Sequence, residues 1–135
     1  MHITLESLTI QSEVANISIV ERLIDDISSK FQLHDEVYGK ILLAVVEGVN
    51  NAIVHGNKLD SSKSVSIQYA VNENFIEFSI QDQGTGFDIA SIPDPTKPEN
   101  LEKTHGRGIF LMNHLADEIQ FLSGGNLVVM KFNLL

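Results

Sequence analysis

The sequence contains no cysteine, which excludes a disulfide framework and a thiolate metal site. Proline is almost as scarce, and Pro93, Pro95 and Pro98 all crowd into one short stretch. Positive charge is thin: nine Lys and Arg stand against eighteen Asp and Glu, a formal net charge of −9. Duplex nucleic acid needs a basic patch, so no nucleic-acid partner is expected, and the acidity reads as solubility. No apolar run approaches the roughly 20 residues that span a bilayer. The opening Met1–Glu6 lacks the basic and apolar regions of a signal peptide. No membrane association and a cytoplasmic location are therefore expected. The five histidines (His2, His34, His55, His105 and His114) show no His-Glu-x-x-His spacing, which argues against a metal cage. Neither a P-loop nor a Gly-x-Ser-x-Gly elbow is present.

What is present is enough for a core. Apolar residues make up 43% of 135 residues, as expected for one globular domain spanning 1–135. Residues 2–10 alternate loosely and read as a strand. Val14, Ile17, Val20, Leu23, Ile24 and Ile27 recur at spacings of three and four, predicting an amphipathic helix over 13–31. Asp35 can cap a second helix running to about Val54, with Gly56 as its stop. Val65, Ile67, Tyr69 and Val71 then alternate, as do Ile76, Phe78 and Ile80, around the turn residues Asn72-Glu-Asn74. That pattern predicts an antiparallel hairpin. Residues 83–106 hold every proline and, counting Gly108, the glycines at 84, 86, 106 and 108. A patternless stretch of this length inside a compact domain is commonly functional. A helix from Arg107 to about Ala116 and a last hairpin, Ile119–Leu122 with Leu127–Leu134, complete the order β-α-α-β-β-loop-α-β-β. The expected fold is α+β, a two-layer sandwich with helices on one face of a mixed, mostly antiparallel sheet.

Three short segments carry the chemistry. At about 100° per residue, Glu47, Asn51 and His55 fall in a stripe roughly 80° wide on the second helix. Ile41, Val45, Gly48 and Ala52 form the adjoining apolar face, so the polar stripe lies at the border of the core. A single acid or amide on a helix is usually only solvated. Three of them one turn apart, followed by Asp82-Gln-Gly-Thr-Gly86 and His105-Gly-Arg-Gly108, form a set. Glycines let a backbone approach a ligand closely, and a helix start offers unpaired N–H groups to anions. A carboxylate there can take a proton from an attacking hydroxyl, and an amide oxygen suits Mg²⁺. Asp82, fixed at a strand end, can accept from an exocyclic amine and so select adenine.

These segments resemble the motifs of the GHKL ATPases, which include gyrase, Hsp90, histidine kinases and MutL. Glu47-Gly-Val-Asn-Asn-Ala-Ile-Val-His-Gly56 is similar to their N box, and the two glycine segments to their glycine boxes, with the Bergerat ATP-binding fold implied. Among them the chain looks most like the bacterial anti-sigma factor serine kinases. It shares their Gly-Arg-Gly-Ile-Phe-Leu-Met second box (106–112) and a lid sequence like Pro95-Thr-Lys-Pro98. The resemblance implies Glu47 as general base, Asn51 as Mg²⁺ ligand, and His55 and Gly56 lining the nucleotide site. It implies Asp82 on the adenine amine and Gly84 and Gly86 at the pocket floor. An ATP lid would span about 88–106 with Thr96, Lys97 and Thr104 facing the nucleotide, and Gly106, Arg107 and Gly108 would meet the phosphates. Family members often carry threonine after the glycines of the last hairpin, where this chain has Asn126. By resemblance the cofactors are ATP and Mg²⁺, the partners an anti-sigma-factor antagonist and a sigma factor, and the assembly a homodimer. Two functions follow: a serine kinase that phosphorylates the antagonist and sequesters the sigma factor, or an ATP-gated binding module without significant transfer.

Overall fold

The computed structural model describes residues 4–85 and 104–134, without the side chains of 104–106 or residue 125. The first strand, β1 (Thr4–Gln11), leads through a 3₁₀ turn at Val14–Asn16 into helix α1 (Ile17–Phe31). Helix α2 (Asp35–Asn51) runs directly into a π-helical turn, Ala52–Gly56. Strands β2 (Ser64–Val71) and β3 (Phe75–Gln81) follow, then α3 (Thr104–Leu115), β4 (Glu118–Leu122) and β5 (Leu127–Asn133). The strands form one sheet in the order β1-β2-β3-β5-β4. Every pairing among them is antiparallel, so among the described residues the sheet holds no parallel pair where a mixed one was expected.

Alternation of side chains puts one apolar face of this sheet against the helices. Rungs such as Tyr69 opposite Phe78, Phe78 opposite Met130 and Ile76 opposite Phe132 carry it across three strands. All of these residues are buried. Phe78 and Phe132 meet edge to face with centroids 6.3 Å apart, a favoured aromatic geometry. The hairpin turn closes as the sequence predicts, with the Asn72 carboxamide oxygen accepting from the Asn74 and Phe75 N–H groups at 2.8 and 2.9 Å.

Helix α1 buries Val20, Ile24 and Ile27, the predicted stripe. Helix α2 buries Ile41, Ala44, Val45, Gly48 and Val49. The rod Asp35–Gly56 is long and apolar enough by length and composition to cross a membrane, and that apolar content is the core face of the domain. A Tyr38 hydroxyl bond to the Asp25 carboxylate ties α1 to α2. Gly48 marks where α2, β3, α3 and β5 converge. A methyl there would lie 2.7 Å from Ile80 Cδ1 and 3.2 Å from Met112 Sδ. Absence of a side chain at this point brings α2 close enough to seat its polar stripe beside α3.

Three boundaries differ from the sequence reading. Asp35 is the first residue of α2 rather than its cap; His34 occupies the capping position without a side-chain bond. Asp35 and Glu36 instead place negative charge on the first turn, where the helix dipole favours it. Helix α2 does not end near Val54 but widens after Asn51. Helix α3 begins at Thr104, ahead of the expected Arg107, because glycines at 106 and 108 mask a helical segment from any propensity argument.

Candidate nucleotide-binding site

The polar stripe of α2 meets the second glycine segment directly. A Cβ built on Gly108 would stand 3.2 Å from Glu47 Oε2 and 3.5 Å from Asn51 Oδ1. Glu47 is half-buried, whereas Asn51 is only 9% exposed. Among the described residues its amide nitrogen is buried with no partner, an expensive state unless something polar occupies the space it faces. Gly106 and Gly108 lie within the first two turns of α3, where N–H groups without intrahelical partners suit an anion.

A second group forms at the end of β3. Asp82 is 9% exposed, and burial raises its carboxyl above the usual range, although a hydrogen bond from the Gly84 N–H and the charge of Lys63 pull it down. The Gly84 N–H donates to Asp82 Oδ1 at 2.7 Å. The Asp82 N–H donates to the Asn126 carbonyl at 2.9 Å. Asn126 also donates from its side chain to the Gly84 carbonyl at 3.3 Å, which leaves its Oδ1 buried without a partner. A Cβ on Gly56 would run into the Asp82 carboxylate, and one on Gly84 into the Gly56 carbonyl. These two glycines are required by close approach, each making room for the other segment.

The π turn connects the two groups. Its closing bond runs from the Asn57 N–H to the Ala52 carbonyl, 2.8 Å, a five-residue step that is rare and frequent at functional sites. His55 lies in this turn, half-buried, and burial lowers its pKa, so the imidazole is neutral at physiological pH.

Glu47, Asn51 and Gly108 thus come together, as do Gly56, Asp82 and Gly84, with His55 between the groups along the chain. Arg107 is exposed on α3. Gly86, Thr96 and Lys97, and the stretch 88–103 of the expected lid, lie outside the described residues, as do the side chain of Thr104 and the surroundings of Gly106. Two features had no sequence signal. The π turn changes hydrogen-bond register without changing composition. Asn57, only 1% exposed, follows a helix stop as an ordinary turn residue would.

A five-stranded antiparallel sheet with helices packed on it, and a buried carboxylate just past β3 held against the turn that ends α2, match the two-layer Bergerat fold. The chain belongs to the histidine kinase-like ATPase domain family, whose profile it matches over residues 10–132. It is 31% identical over 124 residues to serine-protein kinase RsbW of Bacillus licheniformis, covering 86% of this chain and 78% of that protein. It is 35% identical over 98 residues to the anti-sigma F factor of Clostridium perfringens, covering 67% of this chain and 69% of that one. Among solved structures, the RsbU and RsbW domains of a Mycobacterium tuberculosis protein superpose with a TM-score of 0.61 at 15% identity. That match covers 96% of this chain but 32% of the larger one, and it speaks for the fold alone.

Proposed function

We propose that the protein is an ATP-dependent serine kinase of the anti-sigma factor type. In this reading it phosphorylates an antagonist protein, sequesters a sigma factor, and works as a single cytoplasmic domain that pairs as a homodimer. The observation that carries the reading is the Gly108 backbone seated against Glu47 and Asn51, which supports a base beside a phosphate-binding helix start. The names of the two relatives support the choice of kinase and of partners.

Each residue then has a task. Asp82 accepts from the adenine amine, with Gly56 and Gly84 letting the two segments close around its carboxylate at the pocket floor and His55 lining the wall. The first turn of α3, with Gly106, Arg107 and Gly108, receives the phosphates, and residues 88–106, with Thr96, Lys97 and Thr104, form the lid over them. The cleft suits Mg²⁺: the amide oxygen of Asn51 is a neutral hard donor, and the ion leans on nucleotide phosphates for its remaining ligands. When bound, it supplies charge neutralisation at the phosphates. The acceptor serine hydroxyl attacks the γ-phosphorus, its proton passes to Glu47, and ADP departs.

Glu47→Gln tests the proposal, because it keeps size and reach while removing basicity. ATP affinity should stay near wild type while phosphorylation of the partner falls about 10²–10⁴-fold, the usual worth of a positioned base. Transfer at the wild-type rate would remove Glu47 from the role. ATP binding without transfer by the unmutated protein would leave the nucleotide-gated binding module instead.

A further inference from the structure

The carboxylate of Asp82 sits where burial disfavours its charge, just past the end of β3. Left to itself, the backbone at 82–85 would relax and carry the charge toward water. Something must hold it. On one side β5 does so, through the Asp82 N–H bond to Asn126. On the other side Gln83 is held twice: its Oε1 accepts the Ser64 N–H at 2.7 Å, and its own N–H is taken by Asn57.

Asn57 uses both ends of its carboxamide. Its Oδ1 accepts the Gln83 N–H at 2.7 Å, immediately after Asp82. Its Nδ2 donates to Ser12 Oγ at 2.6 Å and to the Ser64 carbonyl at 2.9 Å. Its own N–H closes the π turn on Ala52. One buried side chain therefore joins the end of β1, the start of β2 and the segment after β3, while its backbone fixes the turn that carries His55 and Gly56. The following residues, Lys58 and Leu59, both take positive φ, 53° and 60°, a conformation that costs non-glycine residues roughly 1–2 kcal/mol each. Within the turn the Leu59 N–H closes on the Ile53 carbonyl at 2.8 Å and the Asp60 N–H on the Asn57 carbonyl at 3.1 Å, and the Asn57 side chain ties it to the sheet.

We infer that Asn57 is the positioning residue that keeps Asp82 in the cleft, oriented for an exocyclic amine on a purine. It touches no ligand; it acts through the Gln83 backbone and the π turn. A fully satisfied buried network of this kind supplies the rigidity that a recognition carboxylate needs. The inference rests on Asp82 as the base-reading group, and the test separates the two ideas.

The variants are Asn57→Ala and, as a control, Ser12→Ala, which removes one donor contact of Asn57 but leaves the Gln83 bond. Without nucleotide, carbon-detected NMR follows the titration of the Asp82 carboxyl. In Asn57→Ala it should fall toward that of an ordinary aspartate, and in Ser12→Ala it should stay at the wild-type position. With nucleotide, Asn57→Ala should lose about tenfold in preference for ATP over GTP, the worth of one well-placed hydrogen bond to a charged group, while Ser12→Ala keeps the preference. A purely structural role predicts otherwise: unchanged Asp82 titration, and both nucleotides weakened together as the melting temperature drops. That result would overturn the inference. If the wild-type protein shows no preference for ATP, base reading by Asp82 fails, and the titration still decides whether Asn57 holds it. Should Asn57→Ala not fold, Asn57→Ser, whose hydroxyl falls short of Gln83, serves in its place.

Discussion

On the proposed reading, Asp82 is a recognition residue that works against the stability of the fold that carries it. Burial raises its carboxyl, so folding favours the protonated form. The stability contributed by this group is complete below the ordinary carboxylate range and is lost as pH rises through the elevated folded value. At neutral pH the ionised side chain is a net cost to the empty protein. Asp82→Asn removes the charge and keeps an oxygen for the Gly84 N–H. The variant should therefore melt no lower than wild type at pH 7, with its relative advantage shrinking as pH falls into the acid range. ATP affinity should drop by about tenfold or more, because a charge-assisted bond to the amine is worth roughly 1.5–3 kcal/mol. Calorimetry and thermal melts across pH measure both, and a variant that melts lower at pH 7 would contradict the assignment of cost. Asp82 itself was legible as the last residue of an alternating run. Asn57 was not, because its side-chain partners Ser12 and Gln83 lie at separations no local pattern encodes.

Helix α2 carries two glycines with opposite meanings. Gly39 has nothing within 4 Å of a would-be Cβ, whereas at Gly48 that atom would meet Ile80 and Met112. Gly39→Ala should stabilise the protein by about 0.5–1 kcal/mol by lowering the entropy of the unfolded chain. Gly48→Ala should destabilise it by about 1–3 kcal/mol through overpacking. Urea titrations of the two variants read the contrast, and equal shifts would mean that α2 is not held this closely. Helix and strand identities were legible because their apolar periods are sharp, as in Val20, Ile24 and Ile27 or in Val65, Ile67, Tyr69 and Val71. The start of α3 was not, since a helix opening at Thr104 and running through Gly106 and Gly108 contradicts local propensity. Nor was the widened turn after Asn51, which reflects closure onto Asn57 rather than any preference of Ala52 to Gly56. The Glu47 and Asn51 pairing was read correctly from helical phase, because both precede that change in register.

At the scale of the whole molecule, the site joins the helical layer to the sheet, and a ligand spanning both should stabilise the entire domain. Mg-ATP at about 100 times its Kd should add roughly 2.7 kcal/mol to unfolding stability by mass action. The melting temperature should rise with nucleotide concentration in the wild-type protein and much less in Asn51→Ala. An equal rise in both would show that Asn51 does not help to hold the complex. The strand order matters here as well. Because β3 pairs with β5 rather than with β4, the stretch between Asp82 and Asp117 leaves the sheet and returns to it with both ends fastened. Asp82 donates its N–H to Asn126, and Asp117 donates its N–H to Lys131. Lengthening a closed excursion is thermodynamically mild, about 0.6 kcal/mol for each doubling. Changes of length between Gly84 and Thr104 should therefore cost the described framework little, so descendants of one scaffold can acquire new partners without having to relearn how to fold.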